Sequence, residues 1–108
     1  MSIELPKPIA AYFAADRLDS ETIARCFTEN ATVVDERRSH VGLEAIARWK
    51  AEASTRYSYV SEPFTIEQDG ERIVVTSRVT GNFPGSPIDL RYGFVLEGDL
   101  IARLEIAP

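Results

Sequence analysis

The chain is poor in the residues from which small metal and redox sites are built: it has one cysteine, one histidine and one methionine among 108 residues. A lone Cys26 excludes an intramolecular disulfide, and one Cys with one His falls short of a structural zinc site, so neither metal nor cofactor is expected. Within IARCF, Cys26 reads as a small core residue. The six glycines are scattered over turns and form no phosphate-cradling loop. Basic residues are outnumbered, 12 against 17 acidic ones, for a net charge of -5. Phosphate-backbone binding needs clustered Lys and Arg, so nucleic acid is not expected as a partner. No apolar run approaches bilayer-spanning length, and MSIELPKPIAAYF has no basic segment followed by a long apolar one. The expectation is a cytoplasmic protein with no membrane contact.

What is present is an ordinary globular mixture, 44% apolar and 27% charged. The length fits one domain, residues 1–108, with an adequate but thin core, since such a chain hides roughly 65% of its unfolded surface. Pro6 and Pro8 precede IAAYFAADR, where Ile9, Tyr12 and Phe13 recur at helical spacing, and proline is tolerated in a first turn. A second helix is predicted over Ser20–Phe27, with Asp19 or Ser20 accepting from its free amides. Thr32, Val33 and Val34 make Ala31–Asp35 a strand. Arg37-Arg38-Ser39-His40 reads as a polar loop, and LEAIARWKAEA after Gly42 as a helix with Leu43, Ile46 and Trp49 on one face.

Beyond Ser54 the pattern turns to four strands, Ser58–Gln68, Arg72–Asn82, Ile88–Leu96 and Leu100–Ile106. Asp69-Gly70 and Glu97-Gly98-Asp99 mark tight hairpins, and the proline-bearing link Phe83–Pro87 cannot continue a ladder. Three helices and one strand followed by an antiparallel meander give an α+β domain with its helices on one sheet face. In the last strands Tyr92, Phe94 and Leu96 share a face opposite Val95. Leu100, Ala102, Leu104 and Ile106 alternate with Ile101, Arg103 and Glu105. A second face that is not wholly polar predicts a homodimer through the sheet.

Asp35 is the first candidate for chemistry. A carboxylate ending a strand against an apolar cavity becomes a better base near neutral pH; the alternative is that it caps a turn or pairs with Arg37, Arg38 or Arg78. Tyr12, in the first helix, either donates to a substrate oxygen or fills core. Trp49 offers the same choice between cavity wall and packing. His40, in its polar loop, reads as a surface residue. Arg78, Arg91, Arg103 and Glu105 fall on strands among apolar neighbours, so they either pair across the sheet or line a cavity.

Three segments carry a resemblance: ENATVVDE with its acid closing the first strand, HVGLEAIARW opening a helix, and the closing hairpin FVLEGDLIARLEI. Together they resemble the nuclear-transport-factor-2-like superfamily, and within it the SnoaL-like proteins, which include polyketide cyclases, alongside the ketosteroid isomerases. The resemblance implies a curved antiparallel sheet wrapped by three N-terminal helices, a cone-shaped, cystatin-like roll whose open end holds a hydrophobic small molecule. It implies Asp35 as the proton-moving base, Tyr12 as a hydrogen-bond donor, and Trp49, Arg78, Arg91, Arg103 and Glu105 about the substrate. The neutral acid that completes the isomerase oxyanion site would fall at Leu90 or Arg91, neither of them a carboxylic acid. Limonene epoxide hydrolases are similar in fold; Arg78 and Glu105 match two of their residues, while Thr80 replaces an acid. The activity implied is cofactor-independent isomerisation, cyclisation or dehydration; the alternative is a non-catalytic binding or dimerisation module of the same fold.

Overall fold

The computed structural model describes residues 3–108; Met1 and Ser2, part of the leader reading, lie outside them. Three helices lead: α1 (Lys7–Ala15), α2 (Ser20–Ala24) and, after a first hairpin, α3 (Leu43–Arg56). Six strands, β1 (Phe27–Asp35), β2 (Arg38–Val41), β3 (Tyr59–Asp69), β4 (Arg72–Gly81), β5 (Ile88–Glu97) and β6 (Leu100–Ala107), form one sheet in the order β2-β1-β6-β5-β4-β3. All neighbours are antiparallel except β1 and β6, which run parallel. The α+β class with three helices on a curved sheet is as expected.

Local chemistry accounts for most elements. Pro8 lies in the first turn of α1, and the Asp19 carboxylate accepts from the Thr22 amide at 2.8 Å to open α2. That helix ends at Ala24 rather than Phe27, because Phe27 is taken into β1 opposite Ile101. Gly70 and Gly98 hold φ of 64° and 62° as the first central residue of their two-residue hairpins, a conformation open to glycine at no cost.

Two expectations are corrected. Residues Arg38–Val41 form strand β2, not a loop, paired with β1 from Asp35–Arg38 to Thr32–Val41. The turn between them is Glu36-Arg37, both at positive φ (52° and 66°), which no Asn-Gly or Asp-Gly signal announces. In β6 the simple alternation fails. The β5–β6 register shifts between Val95–Arg103 and Leu96–Ile101, which leaves Ala102 as an extra residue. Ile101 therefore turns inward with Leu104, both fully buried, while Leu100 is exposed.

The core lies between the helices and the concave face of the sheet. Ile9, Tyr12 and Phe13 from α1, Ile23 from α2 and Ile46 and Trp49 from α3 meet Phe27, Val33, Val75, Tyr92, Phe94, Ile101 and Leu104 from the strands. Cys26 packs against this cluster with its Sγ 3.7 Å from the Thr22 carbonyl, the small-residue role expected of it. Tyr12 sits within an aromatic group, edge-on to Phe13, Phe27 and Phe94 at 5.2, 6.1 and 5.6 Å between centroids.

Candidate functional site

A cavity of about 380 Å³ opens between α1, α3 and the concave sheet face. Val79, Phe83, Pro84, Ile88, Leu90 and Ile106 give it apolar walls; Tyr12, Asp35, Trp49, Tyr59 and Tyr92 bring polar atoms, and Glu36, Arg56 and Tyr57 add more. That mix of apolar lining and a few convergent polar groups suits a small, largely apolar ligand.

Asp35 ends β1 just before the strained Glu36-Arg37 turn, so its side chain leaves the sheet at the cavity rim. Its Oδ2 accepts from Trp49 Nε1 at 3.0 Å. Burial raises its pKa above the ordinary 3.8, and the neighbouring Glu36 charge adds to this. The Trp49 hydrogen bond and His40 oppose it. Among the described residues Asp35 has no salt bridge, so it is not locked to Arg37, Arg38 or Arg78. Trp49 serves as wall and as orienting donor at once, because α3 places it beside the strand end that carries Asp35.

Tyr12 is 2% exposed. Its hydroxyl has no hydrogen-bond partner among the described residues, yet no fully enclosed side-chain oxygen goes without one, so this hydroxyl opens onto the cavity. Burial, then the Asp16 charge, hold its pKa well above 10.0, which keeps it a proton-bearing donor. Burial likewise raises Tyr92, and the Asp16 and Asp35 charges add to it.

The other sequence candidates lie elsewhere. Leu90, not Arg91, faces the cavity, since side chains alternate along β5; Arg91 is on the outer sheet face with Arg72, Val74 and Glu105. Arg78 is exposed and pairs with Asp89 at 3.0 Å. Arg103 and Glu105 share the outer face at 3.9 Å, and Arg72 joins Glu105 at 3.7 Å. Glu105 also borders a hollow at the sheet rim that shares Asp35, Ile88 and Leu90 with the cavity. Arg78, Arg103 and Glu105 are therefore held in ion pairs on the outer face, Arg91 stands on the same face, and all four are absent from the cavity wall. His40 stands 6.1 Å from Trp49, ring to ring, in a polar hollow on the far side of Asp35.

Sequence reasoning missed Tyr59, Tyr92 and a buried ionic cluster behind them. Lys50, 3% exposed, contacts Asp16 and the Tyr59 hydroxyl, which in turn donates to Asp16 Oδ1 at 3.1 Å. The only local signal was that Lys50 follows Trp49 on α3 and so borders its buried face. Among the described residues no three His, Cys, Asp or Glu side chains converge as metal ligands would.

The SnoaL-like domain family matches residues 9–103. The chain belongs to that family. A solved structure of a putative polyketide cyclase from Sinorhizobium meliloti is 41% identical over 95% of each chain, with a TM-score of 0.89. A hypothetical protein of ketosteroid-isomerase-like fold from Catenulispora acidiphila, in complex with trimethylamine, is 18% identical over 97% of this chain and 87% of its own, with a TM-score of 0.84. TerC co-crystallised with polyporic acid is 18% identical over 93% and 87%, with a TM-score of 0.77. At those lower identities the likeness concerns the fold alone. No protein of curated function matches the chain.

Proposed function

We propose that this SnoaL-like protein binds a hydrophobic carbonyl compound in the cavity and moves a proton on it without a cofactor, in an isomerisation, cyclisation or dehydration. The observation that carries this reading is the pairing of Asp35 with Tyr12 on one largely apolar cavity. Asp35 is an unpaired carboxylate whose one oxygen is fixed by Trp49 and whose pKa burial raises toward the range of a working base. Tyr12 is a buried phenol with its donor turned to the same space. The base takes a proton from carbon alpha to the carbonyl, and the phenol steadies the enolate oxygen that results. Leu90 on the wall adds no acid, and the donor this reading assigns to that oxygen is the Tyr12 phenol. The 41% identical polyketide cyclase relative is consistent with this chemistry.

The test is a screen of enolisable cyclic ketones for exchange of their alpha hydrogens with deuterated water, read by mass spectrometry. Asp35→Asn is expected to lower the rate at least about a hundredfold, at the lower end of general-base contributions, while melting no lower than the parent protein. Full exchange by Asp35→Asn would remove Asp35 from the mechanism and favour a non-catalytic binding role. A homodimer through the outer sheet face belongs to the same reading, supported by exposed Val60 and Phe64 on β3. A monomeric mass at micromolar concentration would sink it. No helix among the described residues is long and apolar enough to cross a membrane; that the protein works in the cytoplasm is part of the proposal, and fractionation of the producing cells would check it.

A further inference from the structure

The Lys50–Asp16 pair has no part in the chemistry just proposed, and stability alone does not account for it. Their side chains are 4% and 7% exposed. Taking two charges out of water costs several kcal/mol per ion, and an apolar pair of similar volume often serves a fold as well or better. Asp16 also caps the C-terminal end of α1, where the helix dipole disfavours a carboxylate. The member of the cluster on the cavity wall is Tyr59. Lys50 Nζ donates to its hydroxyl oxygen, and that hydroxyl donates to Asp16 Oδ1 at 3.1 Å.

We infer that Lys50 is a positioning residue that makes Tyr59 a second hydrogen-bond donor, beside Tyr12, to an oxyanion formed in the cavity. This rests on reading the cavity as a site for enolising carbonyl compounds, and it narrows them to those whose oxygen reaches Tyr59. An ammonium donating into a phenol lone pair draws charge from the oxygen and strengthens its O–H as a donor. In the structure that O–H rests on Asp16. A neutral carbonyl does not compete with a carboxylate for it, whereas an enolate oxygen does, and Asp16 keeps its contact with Lys50. The interaction therefore grows as charge develops, which accelerates the step rather than only tightening binding. The proton stays on Tyr59 throughout, since burial, the Asp16 charge and Tyr92 all hold its pKa above the ordinary 10.0. The titratable groups about the Tyr59 hydroxyl are Asp16 and Tyr12 from α1, Asp35 from β1, Lys50 from α3 and Tyr92 from β5.

The probe is 4-nitrophenol, whose neutral and ionised forms differ in colour, titrated in the Asp35→Asn protein so that no carboxylate at that position opposes a second anion. Bound nitrophenol is expected to ionise about one pH unit below free nitrophenol, a tenfold preference for the anion. Adding Tyr59→Phe, or Lys50→Met with Asp16→Asn, is expected to abolish most of that shift, while Lys50→Arg retains it; thermal melts report that each variant folds. Should the double replacement fail to fold, Tyr59→Phe and Lys50→Arg still decide. If the cavity takes up no nitrophenol in any form, the carbonyl-site reading falls and this inference with it. If nitrophenol binds with no shift, or the shift survives Tyr59→Phe, only the role of Lys50 and Tyr59 is overturned.

Discussion

The two faces of the sheet use charge in opposite ways. On the outer face Arg72, Arg103 and Glu105, and separately Arg78 and Asp89, pair at 3.0 to 3.9 Å with side chains 40% to 60% exposed. Water screens such pairs, and they contribute little. On the concave face Lys50 and Asp16 are withdrawn from water, and Asp35 keeps a single fixed partner. There each charge must be satisfied by a named neighbour, and its loss is felt. The contrast teaches that the number of ion pairs says little about where this molecule's electrostatics matter; burial decides.

The largest effect that could break the contrast is on stability. Lys50→Ala leaves the Asp16 carboxylate buried without its cation and is expected to cost about 3–5 kcal/mol in urea denaturation. A loss below 1 kcal/mol would mean that the pair is wetter than it looks. Next comes Trp49→Phe, which keeps an aromatic ring in place but removes the donor to Asp35. It is expected to cost about 1–2 kcal/mol, as for a hydrogen bond to a charged group that is partly solvated, and to raise the Asp35 pKa further, which carboxyl-carbon NMR would follow.

A subtler probe is pH. Burial lifts the folded-state pKa of Asp35 above its unfolded value, so its ionised form weakens the fold. That penalty is complete above the folded-state pKa and vanishes as the pH falls below the unfolded value of 3.8. Asp35→Asn is therefore expected to be the more stable protein at neutral pH and to lose its advantage in acid, as melting across pH would show. The smallest effect belongs to the outer face, where Arg103→Ala is expected to change stability by no more than about 0.5 kcal/mol. A larger loss there would point to a face covered by another surface.

Much of the architecture was legible because its signals are local. Apolar spacing in Ile9–Phe13 and Leu43–Trp49, β-branching in Thr32–Val34 and the glycines of two hairpins each report on a few neighbouring residues. Strand β2 was not legible, since Glu36-Arg37 takes a turn normally left to Asn and Gly and is held there by the pairing of β1 with β2. The inward turn of Ile101 was hidden for a related reason: a register shift is decided between strands, not along one.

For the site, the chain itself marked Asp35, Tyr12 and Trp49, an acid closing a strand and two aromatics on apolar helix faces, and the structure brings all three to one cavity. It gave no means to choose between Leu90 and Arg91, because a shift of one residue along a strand exchanges its two faces. Nor could it reveal that Lys50 meets an acid 34 positions earlier and a tyrosine nine positions later. What the sequence determined by itself is the set of elements and the residues able to do chemistry, since both follow from neighbours and side-chain type. Which of those residues share a dry space was decided only by the tertiary structure, because burial and partnership are properties of groups that folding alone brings together.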